Sequence, residues 1–127
     1  MHKEILADSQ VKLLQLVKNF SSEFNLVGGT AIALQLGHRR SIDFDLFTPN
    51  DFDVERVKAK IRSNYKIEDT LVELHNQITM VVDGVRFTFY KYPFDIDYSE
   101  SFEDVIKLPN LLTLGAMKAF ALAHRAK

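Results

Sequence analysis

Apolar residues recur at helical spacing through residues 3–22, where Ile5, Leu6, Leu13, Leu14, Leu16, Val17 and Phe20 form a broad stripe. That spacing predicts one helix with a buried face. Residues 24–27 are a short extended run ending at Gly28-Gly29, and residues 30–36 follow as a short helix. Ala31, Ala33 and Leu34 suit close packing there, and Gly37 is placed to stop the helix. The period then changes. Residues 42–47 alternate, which predicts a strand with Ile42, Phe44 and Leu46 on one face and Asp43 and Asp45 on the other. After the turn cluster Thr48-Pro49-Asn50-Asp51, residues 53–62 return to a helical period around Val54, Val57 and Ile61.

The second half is richer in strands. Residues 65–74 and 77–82 read as extended, and Asp83-Gly84 is a hairpin turn leading into residues 85–90, where Val85, Phe87 and Phe89 share a face. Residues 93–104 are acidic and aromatic without a clear period, so a loop with one helical turn is expected. Residues 106–108 suit a short strand. Residues 111–126 suit a final helix with Leu114, Met117, Ala121 and Leu122 on its buried side. This order predicts one α+β domain, a mixed β-sheet flanked by helices.

A length of 127 residues with 46% hydrophobic content supports one sizeable core. Sixteen basic and seventeen acidic residues give a net charge of -1, so no global field draws the chain to nucleic acid, although a local basic patch is compatible with it. Cysteine is absent, which excludes disulfides and thiolate zinc sites and suits a reducing, cytoplasmic location. The segment from Met1 to Asp8 has no apolar signal-peptide region, and no apolar run is long enough to span a membrane.

Against that background Asp43 and Asp45 stand out. Two carboxylates on one strand face repel unless a cation or a shared proton compensates them. Magnesium suits hard oxygen ligands and keeps positions open for phosphate oxygens. Gly28 and Gly29, between a strand and a helix, let backbone N–H groups approach a phosphate. Neither the GxGxxG nor the P-loop pattern is present. Between the glycines and the aspartates lies the basic loop His38-Arg39-Arg40-Ser41. Arg39 and Arg40 have two readings: an ion pair with Asp43 or Asp45 that holds the strand edge, or contact with a triphosphate or nucleic-acid backbone. His38 is expected to fix the loop by a hydrogen bond. His2 and His75 have no partners at ligand spacing, and His124 does not share a helical face with Lys118.

The segment from Phe24 to Phe47 combines Gly-Gly-Thr, Gly-His-Arg-Arg-Ser and Asp-Phe-Asp-Leu-Phe. In that combination it resembles the signature of the AbiEii/AbiGii toxin family of nucleotidyltransferase-like proteins. The run from Leu114 to Arg125, with Ala116-Met117-Lys118, is similar to a later helix of the same family. The resemblance covers nearly the whole chain. It implies a core of the DNA polymerase β type that uses magnesium or manganese and a nucleoside triphosphate. The biological role it implies is the toxin of a toxin–antitoxin or abortive-infection system, with a cognate antitoxin as partner.

Carried onto this chain, the resemblance implies that Gly28 and Gly29 form the phosphate-side turn and that the Thr30 hydroxyl lies near the triphosphate. Asp43 and Asp45 would hold the metal. Lys118 would reach toward the phosphates, with Arg39 and Arg40 on the nucleotide side. The acceptor is expected to be a hydroxyl on RNA, with transfer RNA the family-based preference, or on protein. Arg39, Arg40, Lys118, Arg125 and Lys127 could line one basic rim for an RNA end.

Two departures qualify this. Polymerase-like transferases usually take a third carboxylate from a neighbouring strand, and the residue to inspect there, Thr88, is a threonine. The family pattern also continues beyond the point corresponding to Lys127, so the domain is expected to be truncated at its C-terminus and to turn over little by itself. The competing readings are a degenerate transferase fold acting in protein–protein interaction and a metal-dependent phosphoesterase. The phosphoesterase is disfavoured by the lack of a histidine–carboxylate cluster.

Overall fold

The computed structural model describes residues 1–92 and 94–125. A 3-10 turn, Lys3–Ile5, leads into α1 (Asp8–Val11) and α2 (Leu14–Asn19). Strand β1 (Asn25–Val27) runs directly into α3 (Gly28–Leu36), which ends at Gly37 in the left-handed region. There follow β2 (Asp43–Thr48), α4 (Val54–Arg62), β3 (Ile67–Leu74), β4 (Gln77–Val82) and β5 (Val85–Lys91). The chain continues through β6 (Glu100–Phe102) and β7 (Ile106–Leu108) into α5 (Leu111–Arg125).

The main sheet has the order β1-β2-β5-β4-β3. Its one parallel pairing joins β2 to β5, and the other neighbours are antiparallel. The expected α+β class and mixed sheet are what the protein has. Phe44 and Leu46 on β2, Phe87 and Phe89 on β5, and Ile78 and Met80 on β4 are fully buried. Phe89 meets the rings of Phe20 and Phe24 at 4.8 and 5.3 Å, which places the α2 end of the chain over this apolar face. On the opposite face Phe47 contacts Tyr92 and Tyr98, both at 5.5 Å, and Tyr92 in turn meets Phe120 of α5. Helix α4 behaves as its sequence predicts: Asp53 caps it by accepting from the Glu55 N–H, and Val57 and Ile61 are buried.

Four expectations need correction. The single helix over residues 3–22 is broken, because Ala7 is extended and Leu6 lies in a parallel bridge beside Ser41. The His2 N–H also donates to the Leu34 carbonyl, so tertiary backbone bonds outcompete helical ones in this segment. Ile42 is 68% exposed rather than facing the core, since regular pairing begins only at Asp43. Residues 100–102 form a strand paired with β7, not part of a loop; three residues are too few to show a period. Finally, Leu114 and Met117 are buried on α5, but Ala121 and Leu122 are exposed.

Candidate active site

Strand β1 ends with Val27 opposite Asp45, and the chain turns at Gly28 with φ of 75°. A Cβ on Gly28 would lie 2.2 Å from Asp45 Oδ2, so the Asp45 carboxylate rests against bare backbone that only glycine provides. At Gly29 a Cβ would meet Arg39 Nη2 at 2.8 Å. The Arg39 guanidinium therefore folds over the turn, and its Nη1 donates weakly to the Arg40 carbonyl at 3.4 Å. Among the described residues neither Arg39 nor Arg40 forms an ion pair, so neither neutralises the aspartates. Both are exposed, as is His38, whose ring makes no hydrogen bond among the described residues.

The alternation expected for β2 holds at its centre. Asp43, Asp45 and Phe47 lie on one face, and in the parallel register they stand beside Arg86, Thr88 and Tyr90 of β5. Thr88 occupies the place beside Asp45 expected of a third carboxylate, and its hydroxyl is paired with that of Thr79 at 3.0 Å. Arg86 escaped the sequence reading. It is exposed, stands beside Asp43, and is the cation whose charge acts on Asp45.

Burial and the neighbouring Asp43 push the Asp45 carboxyl up to about 6, with Arg86 opposing them. The same burial, reinforced by the Asp45 charge, drives the Tyr90 hydroxyl far above its usual range. Tyr98 is pushed up to about 12 by burial, offset by a hydrogen bond with Asn25. The face thus grades from two carboxylates at the start of β2 to a wall of tyrosines that stay neutral. Among the described residues the Asp45 carboxylate accepts no hydrogen bond and enters no ion pair, although it is half-buried.

That pair, only partly offset by Arg86, fits a hard divalent cation by its donor chemistry. Two carboxylate groups with space for water and phosphate oxygens match the way magnesium is usually held. No group of three or more histidine, aspartate or glutamate side chains is arranged to hold a metal among the described residues. Thr30 lies beside the pair but is buried, and its hydroxyl turns inward to Ser41 and to the Asp43 carbonyl. Lys118 is exposed on α5, two residues before Phe120, and makes no hydrogen bond or ion pair among the described residues. Lys127 and the Arg125 side chain, expected on the same rim, lie outside what is described. No helix among the described residues is long and apolar enough to cross a membrane.

Residues 13–112 match the family described as nucleotidyl transferase AbiEii toxin, type IV toxin–antitoxin system. An uncharacterized protein of Aquifex aeolicus (strain VF5) is 34% identical over 114 residues, covering 82% of this chain and 52% of the relative. The chain therefore spans about half the length of the curated relative it matches.

Proposed function

The chain belongs to the AbiEii family of nucleotidyl transferase toxins, and on that premise we propose that it carries the metal-binding and nucleotide-binding core of a metal-dependent nucleotidyltransferase. The observation that supports this most is the pair Asp43 and Asp45, shielded, mutually repelling and set against the Gly28 turn. A magnesium or manganese ion held by these two carboxylates would supply charge stabilisation for the phosphate oxygens.

The chain's own residues divide the remaining work. The Gly28-Gly29 backbone gives a nucleoside triphosphate a close approach at the start of α3, where the helix N-terminus favours negative charge. Arg39 folds over that turn, Arg86 supplies positive charge beside Asp43, and Arg40 would add to it from the same loop as Arg39. Lys118, exposed on α5, would supply a further cation to the phosphates. In the reaction an acceptor hydroxyl oxygen bonds to the α-phosphorus, the bond to pyrophosphate breaks, and the hydroxyl proton is released to solvent. The unpaired arginines favour an RNA acceptor, with transfer RNA the first candidate, and the toxin role implies a cognate antitoxin.

The test is a labelled-triphosphate assay over total RNA and total protein, run on this chain and on a longer form that matches the relative's full length. We expect metal-dependent labelling of RNA by the longer form, abolished by Asp43→Asn with Asp45→Asn. Labelling of protein alone would overturn the RNA assignment. Release of label without transfer would favour a phosphoesterase, and no turnover by the longer form would favour a degenerate interaction fold.

A further inference from the structure

β2 begins without help from its outer neighbour. Pairing with β1 stops at the Val27–Asp45 pair, because β1 has already turned into α3. The Asp43 carbonyl is met there by two side chains instead. Thr30 donates its hydroxyl to it, and Gln10 Nε2 donates at 3.3 Å. A carbonyl only accepts, so the Thr30 proton is committed to Asp43, and Ser41 must donate to Thr30 across their 2.6 Å contact. At its other end Gln10 Oε1 accepts the Ala7 N–H at 3.0 Å. A backbone N–H only donates, so both ends of this amide have one allowed orientation.

These groups are deeply buried: Gln10 is 0% exposed, Thr30 1% and Ser41 8%. A fully paired buried network holds its members rigidly, and loss of one member leaves the others costly. Gln10 also lies before residue 13, where the family match begins. The N-terminal segment thereby reaches 33 residues along the chain to the first residue of the carboxylate strand.

We propose that Gln10, together with Thr30 and Ser41, is a positioning residue for Asp43, fixing the start of β2 so that the two carboxylates present one geometry to a divalent cation. The inference rests on the reading of Asp43 and Asp45 as metal ligands. None of the three side chains touches the metal; they act through the Asp43 backbone. Supporting groups of this kind typically change metal affinity about 10- to 100-fold when removed.

The test is manganese binding to the apo protein, measured by calorimetry and by electron paramagnetic resonance well below each variant's melting temperature. Gln10→Met and Thr30→Val should each weaken manganese binding about tenfold. Thr30→Ser, which keeps the hydroxyl, should restore wild-type affinity. Phe89→Ala serves as a destabilised control that leaves the network intact and should keep wild-type affinity in its folded fraction. If Gln10→Met does not fold, the contrast between Thr30→Val and Thr30→Ser decides the question. Wild-type affinity in Gln10→Met and Thr30→Val, or equal losses in Thr30→Val and Thr30→Ser, would overturn the positioning role. A wild-type protein that binds no manganese would overturn the metal reading itself, and the positioning role with it.

Discussion

The two faces of β2 are one residue apart and obey different physics. Phe44 and Leu46 are sealed beneath β5 neighbours and the aromatic end of α2, where close packing supplies stability. Asp43 and Asp45 are half-buried on the other face, where burial and like charge both work against an ionised Asp45 in the folded apo protein. The strand keeps its register with β5 while one face packs in the core and the other carries the carboxylates. Stability and chemistry are thus separated by side-chain direction, and substitutions on the two faces should have opposite signatures.

The largest stability effect belongs to the apolar face. Phe89→Ala removes a ring that meets Phe20, Phe24 and Phe87 and should cost about 3–5 kcal/mol in urea unfolding. A cost below about 1 kcal/mol would show that this face is not the structural one.

On the other face the sign reverses. A carboxyl raised to about 6 holds its proton more tightly folded than unfolded, so the apo protein should lose stability as pH rises from about 4 to about 6. The full loss is at most about 3 kcal/mol. Asp45→Asn should flatten that slope and be more stable than wild type above pH of about 6, in chelator, by thermal melts at several pH values. A wild type whose stability climbs over the same window would refute the account.

The smallest effect sharpens the boundary between the faces. Gly28→Ala forces a side chain into the left-handed region, at about 1–2 kcal/mol, and drives its methyl into the Asp45 carboxylate. Manganese binding should weaken with it. Gly115→Ala, on α5 with no atom near the added methyl, should instead gain up to about 1 kcal/mol. Equal outcomes at the two glycines would remove the special status of the Gly28 turn.

Much of this arrangement is legible in the residues alone. The alternation around Asp43 and Asp45, the Gly28-Gly29 turn and the Asp83-Gly84 hairpin are local signals, and each depends on neighbours in sequence. What stays hidden depends on distant partners. Gln10 has no motif around it, and its role exists only because β1 stops short of Asp43. Arg86 gains its place from the parallel pairing of β2 with β5, which no turn chemistry specifies. The helical stripe over residues 3–22 reads correctly as buried, since Leu13, Leu16, Val17 and Phe20 are in the core. Its continuity fails because backbone partners at Leu34 and Ser41 compete for the same segment. Ala121 and Leu122 mislead for the opposite reason: their pattern is apolar, but nothing described lies over them, and Leu122 is 55% exposed.

The parallel seam between β2 and β5 also bears on the order in which the molecule assembles. The β4–β5 hairpin closes over two residues, and β1 and β2 are joined through α3 alone, so both units can form early from nearby contacts. The rungs of the seam join residues about forty apart and must wait for these units to meet. A nascent chain therefore carries both aspartates long before it carries the β5 residues that flank them. The carboxylate face would come to stand beside Arg86 and Thr88 only at the docking step, when the fold closes.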